Sequence, residues 1–287
     1  MTQSDRRIEE VLVAREASDG DGVRLKRVFG GGDLSRFDPF LMLDEFGSNE
    51  ASDYIGGFPS HPHRGFETVT YMLEGHMEHR DHMGNVGQLM AGDVQWMKAG
   101  SGVIHSEMPK QVEGRMRGFQ LWVNLPASEK MGPASYTELA AASIPKIEFD
   151  GFWVKAIAGK LRINGRELVG PIGSEGVLAT EPGYLDIAVD RAQDIVVTIP
   201  SGHTALVYAY EGALSIGEPA YALKAGMLAR LNREGELRLS VSGETRLLVI
   251  SGKPIGEPIV QRGPFVMNTV EEIHQAIRDY TDGRLLL

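Results

Sequence analysis

Short runs of β-branched and aromatic residues, partly alternating with polar ones, recur along the chain, and glycine turns separate them. Examples are Thr68-Val69-Thr70-Tyr71-Met72-Leu73, Phe119-Gln120-Leu121-Trp122-Val123, Ile195-Val196-Val197-Thr198-Ile199 and Leu247-Leu248-Val249-Ile250. Turn signals stand between them at Glu74-Gly75, Gly84-Asn85, Ala91-Gly92-Asp93, Glu211-Gly212 and Ala225-Gly226. Short strands punctuated this regularly predict an all-β sandwich or barrel. A helical period is clear only near the end, where Val270, Ile273, Ile277 and Tyr280 recur at helical spacing. Asn268 or Thr269 can cap that helix, Glu271 or Glu272 can complete a capping box, and Gly283 is a stop. A shorter helix is expected over 135–142.

The two halves resemble each other. Phe66-Glu67-Thr68-Val69-Thr70-Tyr71-Met72-Leu73-Glu74-Gly75 and His203-Thr204-Ala205-Leu206-Val207-Tyr208-Ala209-Tyr210-Glu211-Gly212 both run from a polar start through apolar residues into Glu-Gly. Each is followed by an Ala-Gly turn. A duplicated barrel is the economical reading. We therefore expect an N-terminal domain over 1–138 and a C-terminal one over 139–287, the latter carrying the helix.

Composition narrows the classes. At 287 residues, 42% of them hydrophobic, the chain can bury two cores. A formal net charge of −10 and the lack of any basic run argue against binding nucleic acid or an anionic membrane. With no cysteine, disulfides, thiolate zinc sites and iron–sulfur clusters are excluded. No apolar run approaches the length of a membrane span, and the charged N-terminus lacks the core of a signal peptide, so a cytoplasmic protein is expected.

Of eight histidines, six fall between His61 and His105. His61-Pro62-His63 and His105-Ser106-Glu107 each place two ligand-type side chains two residues apart. In a strand such residues share a face, so neighbouring strands carrying both pairs could close around a divalent metal. Imidazole and carboxylate donors suit Fe(II), Ni(II), Cu(II) or Mn(II). A lone histidine is more often solvated or a satisfied core group; two matched pairs turn that balance. Aligning the Glu-Gly turns puts Thr198 and Pro200 opposite His61 and His63. Aligning the Ala-Gly turns puts Leu239 and Val241 opposite His105 and Glu107. One metal per chain is expected.

His76, His79 and His82 do not follow the strand period, so only His79 is a candidate to support a ligand. Arg64 could neutralise a carboxylate or meet an anionic substrate, against an ordinary surface ion pair. Phe46, Phe58, Phe66, Trp96 and Trp122 are available to line a cleft, although ordinary core is the better reading of Phe66 and Trp122.

These residues resemble the pirin family of the cupin superfamily. The recognisable stretches are Phe37-Asp38-Pro39-Phe40, Asp44-Glu45-Phe46, His61-Pro62-His63-Arg64-Gly65-Phe66-Glu67, Glu78-His79-Arg80-Asp81, Gly92-Asp93-Val94-Gln95-Trp96-Met97, Gly102-Val103-Ile104-His105-Ser106-Glu107 and Gln261-Arg262-Gly263-Pro264-Phe265-Val266-Met267-Asn268. The resemblance implies two tandem cupin (jelly-roll-like) barrels with one metal in the N-terminal barrel, held by His61, His63, His105 and Glu107. Iron is the metal it implies, with Ni, Cu, Mn or Zn as alternatives. In many other cupins the carboxylate ligand sits at a place resembling Glu67, which here becomes a candidate to orient an imidazole. The implied activity is quercetin 2,3-dioxygenase-type cleavage of a flavonol ring with O2, with Glu107 as both ligand and base. A second class is a regulatory protein whose metal redox state controls binding to a protein partner. A third is a metal held only for stability.

Overall fold

The computed structural model describes residues 4–173, 178–217 and 220–287. The chain forms two compact units, and neither is a continuous stretch of sequence. One comprises residues 15–36, 40–141 and 255–287; the other comprises 1–14, 37–39 and 142–254. These units differ in their bounds from the expected division into 1–138 and 139–287 at both ends of the chain.

The N-terminal strand β1 (Ile8–Val13) crosses into the second unit because it completes a sheet edge there, pairing antiparallel with Met227–Leu231. Arg6 fixes the crossing. Its guanidinium is fully buried and donates to the carbonyls of Pro200, His203, Asn232 and Gly235 at 2.8–3.2 Å. A buried arginine has five donors and no acceptor, so a ring of carbonyls suits it.

The first unit is built from β2 (Arg15–Asp19), β3 (Val23–Gly30), β4 (Phe40–Ser48), β5 (Phe58–His63) and β6 (Phe66–Glu74), followed by β7 (Met77–Asp81) and β8 (Val86–Leu89). Next come β9 (Val94–Lys98), β10 (Val103–Pro109), β11 (Met116–Asn124) and β12 (Ser135–Leu139). One sheet runs β12-β9-β6-β11-β4-β3-β2 and the other β5-β10-β7-β8. Segment 135–139, expected as helix, is thus a strand paired with β9. All five residues pair with it, from Ser135 opposite Lys98 to Leu139 opposite Val94.

The short helix α1 (Ala127–Lys130) and two later pieces also belong to this unit: the hairpin β13 (Val260–Arg262) and β14 (Phe265–Met267), and the helix α2 (Val270–Thr281). Thr269 caps α2 and forms a capping box with Glu272. The buried face of the helix is Ile273, Ala276 and, in part, Ile277, whereas Val270 and Tyr280 are exposed. That face packs with Phe265, Met267 and Leu285, and with Ile104 of β10. The helix was expected in the C-terminal domain; its apolar stripe finds its partner in the first unit instead.

In the second unit, Gln193–Thr198 pairs with Leu237–Val241, as β5 pairs with β10. Ile195, Val197, Leu237, Leu239 and Val241 all point into one apolar core there.

Candidate metal centre

Antiparallel register sets His105 of β10 directly opposite His61 of β5, while His63 lies two residues further along the same face. The three Nε2 atoms converge: His61 stands 3.0 Å from both His63 and His105. The three rings offer donor atoms all within 4.8 Å of one another, and His63 and His105 are buried.

The outer nitrogens decide what these rings can do. His61 Nδ1 donates to the Pro59 carbonyl at 2.8 Å. His105 Nδ1 meets His79 Nε2 at 2.9 Å, and His79 is wholly buried on the adjacent strand β7. With protons on Nδ1, both Nε2 atoms carry lone pairs that face one another, an arrangement a cation relieves and no internal hydrogen bond does. Burial, reinforced by neighbouring imidazoles, holds His63 and His105 well below the usual histidine range, and burial also lowers His79. His63 and His105 are therefore neutral at pH 7, as ligands must be. This donor set fits a divalent transition metal.

Glu107 lies two residues beyond His105 and is buried, facing the same cavity. Its Oε1 is 3.0 Å from Thr70 Oγ1, which in turn is 2.6 Å from Gln120 Oε1. Thr70 has one proton for two acceptors. The set is satisfied when the Gln120 amide presents its NH2 to Thr70 and Thr70 donates to Glu107.

A cavity of about 670 Å³ opens beside the imidazoles. Its apolar wall includes Leu25, Met42, Phe46, Phe58, Met77 and Trp122, and its polar wall includes Asp19, Arg27, Asp44, Thr70, Glu107 and Gln120. Trp122, expected as core, lines this cavity and sits edge-on to His63, with ring centroids 5.4 Å apart. Gln120, two residues earlier, lines it too, so the period of two holds on β11, and strand pairing decides which face meets the cavity. Phe66 is fully buried, packed against both Trp122 and His63.

Other candidates fall elsewhere. Glu67 is three residues from Thr70 on β6, on the opposite face, beside Lys98 in the register. It cannot orient an imidazole from there. Burial pushes its carboxyl up to about 7, against the pull of the Trp96 indole and the Lys98 ammonium. Trp96 is buried outside the cavity lining. His76 meets Gln88 at 2.6 Å, and His82 accepts weakly from the Ile104 amide at 3.3 Å. Arg64 is buried, donating to Asp279 Oδ2 at 2.8 Å, the Leu285 carbonyl at 3.2 Å and the Ser101 carbonyl. It meets a carboxylate of its own unit, not a substrate. In the second unit Leu239 and Val241 are core residues, and no comparable cluster occurs among the described residues. Nor is any helix among them long and apolar enough to cross a membrane.

Comparison with known proteins places this geometry. Residues 22–123 match the family described as Pirin, and residues 184–286 match the Pirin C-terminal cupin domain. A Pseudomonas aeruginosa protein provisionally named quercetin 2,3-dioxygenase is 52% identical over 282 residues, covering 98% of each chain. Human pirin is 40% identical over 286 residues, covering 98% of this chain and 94% of its own. The crystal structure of quercetin 2,3-dioxygenase from Acinetobacter baumannii superposes with a TM-score of 0.89, at 34% identity and 99% coverage of both chains. The chain belongs to the pirin family of two-barrel cupin proteins.

Proposed function

We propose that the protein is a metal-dependent oxidoreductase of the quercetin 2,3-dioxygenase type, acting with O2 on a flavonol. The observation that carries this reading is the convergence of three imidazoles beside a cavity large enough for a small aromatic molecule. His61, His63 and His105 would hold the metal, with Glu107 as fourth ligand and Fe(II) as the metal. When bound, it would supply a Lewis acid for the ionised 3-hydroxyl of the flavonol and a centre for reaction with O2.

The chain's own residues supply the rest. Phe46, Phe58 and Trp122 offer an apolar wall to the aromatic rings and exclude water from them. Glu107 takes the proton of the 3-hydroxyl on Oε2, since Oε1 already accepts from Thr70. The Thr70–Gln120 pair fixes the carboxylate for that transfer. In the overall reaction one O2 is consumed, the two ring bonds to the hydroxyl-bearing carbon break, and that carbon leaves as carbon monoxide. A cysteine-free chain suits a reducing cytoplasm.

The test is anaerobic reconstitution with Fe(II), followed by quercetin and O2, with loss of flavonol absorbance and release of carbon monoxide as readouts. Turnover that vanishes in His63→Ala and Glu107→Ala supports the assignment. Tight metal binding without turnover overturns it and favours the regulatory reading, in which partner affinity differs between Fe(II) and Fe(III).

A further inference from the structure

The interior of the seven-stranded sheet carries a row of polar residues at one level. Register sets Arg27 opposite Asp44, Asp44 opposite Gln120, and Gln120 opposite Thr70, across β3, β4, β11 and β6. All four line the cavity. Thr70 touches Glu107 and so marks the metal end. Three strand spacings of about 4.8 Å place Arg27 on the order of 14 Å from Thr70 along the sheet, somewhat less across the curved barrel. Arg27 therefore stands at the far end of the same cavity.

Its guanidinium is fixed but not saturated. Asp44 accepts from Nε at 3.0 Å and from Nη2 at 2.9 Å, and Asp19 accepts from Nη2 at 3.2 Å. Nη1, with two N–H donors, has no partner among the described residues, and the side chain is 34% exposed. Arg27 is also the one lysine or arginine among the described lining residues, which include four acids, Asp19, Asp21, Asp44 and Glu107. A cation already neutralised by two carboxylates, in an acid-rich surround, offers hydrogen bonds without offering net positive charge.

We infer that Arg27 is a specificity-determining residue, donating from Nη1 to an uncharged hydroxyl oxygen on the part of the substrate remote from the metal. The acids beside it accept a hydrogen bond from that hydroxyl and repel a carboxylate at that place. The preferred substrate is then hydroxylated at both ends, and a ring acid is refused. This rests on the flavonol reading above.

The experiment is calorimetric binding to the full-length protein loaded with redox-inert Zn(II), under argon, so that no turnover is required. The ligands are 3-hydroxyflavone, whose one hydroxyl is the 3-hydroxyl, quercetin, which adds hydroxyls on both outer rings, and a 3-hydroxyflavone carboxylated on an outer ring. Arg27→Lys keeps a cation opposite Asp44 but loses the planar fork; Arg27→Gln removes the charge and keeps a donor. Wild-type protein is expected to bind quercetin more tightly than the other two. Arg27→Lys is expected to weaken quercetin about tenfold and to leave 3-hydroxyflavone within about twofold, which also shows that the pocket is intact. Equal effects on both ligands, or none, overturn the inference and leave Arg27 as a tie between β3 and β4. So does tight binding of the carboxylated ligand by wild-type protein, the arm that needs no variant. Failure of every flavonol to bind wild-type protein overturns the flavonol reading itself, and the inference with it.

Discussion

An imidazole can offer Nε2 to a metal only while Nδ1 keeps the proton, so the partner of Nδ1 matters as much as the ligand. Here that partner is the Pro59 carbonyl for His61 and His79 for His105. Removing the acceptor in His79→Leu should raise the metal dissociation constant by about 10- to 100-fold, measured by competition with a chelator. His79→Gln, which keeps an acceptor, should recover part of the loss. The low-lying histidines also set a pH response. Because His63 and His105 resist protonation when folded, the unfolded chain binds more protons between their folded values and about 6.5. Metal-free protein should therefore lose stability as pH falls below about 6.5, seen as a falling melting temperature. Glu67 has the opposite sign. Its carboxyl titrates near 7 in the folded chain against 4.5 when unfolded, so its contribution to stability falls as pH rises through that interval. Glu67→Gln should gain on the wild type across the interval by at most about 3 kcal/mol, read from denaturant melts at both ends. The histidine and carboxylate pairs were legible in the sequence because strand periodicity assigns i and i+2 to one face. The same rule puts Glu67 on the face opposite Thr70, but which of the two faces meets the imidazoles is set by strand pairing and not by the period.

At the scale of elements, the ligand strands are held from behind by the end of the chain. Arg64, next to His63, reaches Asp279 on α2 and the Leu285 carbonyl, while Ile104, next to His105, packs in the cluster of Ile273, Ala276 and Leu285. Gly65 completes the contact. It has a φ of +88°, and a Cβ there would stand 2.0 Å from the Val266 carbonyl oxygen, so only glycine fits. Asp279→Ala should cost about 3 kcal/mol in denaturant unfolding, because it strands the buried Arg64 charge near a ligand. Arg64→Ala should cost less of this electrostatic penalty, since Asp279 can reach water. The existence and cap of α2 followed from local signals, Thr269 and Glu272 above all. Its docking place did not, because an apolar stripe states that a helix must be covered and is silent on what covers it. Segment 135–139 is a strand and not a helix for a related reason: five residues are too few for either period to declare itself, and pairing with β9 decides the matter.

For the whole molecule, two tandem copies of one sequence pattern become two barrels that exchange their terminal segments. Loss of residues 1–14 should open the edge of the second unit at Met227–Leu231, raising hydrogen exchange there and not in β5 or β10. Metal analysis should return about one ion per chain for the wild type and none for a His61→Ala/His63→Ala double variant, since the second core is packed with Leu239, Val241 and their neighbours. The all-β class, the duplication, the two candidate ligand pairs and the lack of ligand-type residues at the matching positions of the second half are legible in the sequence alone. Each of these depends on periodicity or residue chemistry over a few positions. Only the tertiary structure decided which unit owns each terminus, that Trp122 walls the cavity while Glu67 leaves it, and that Arg27 shares a row with Thr70. Those facts depend on register and on long-range pairing between strands far apart in the chain, and no local pattern encodes them.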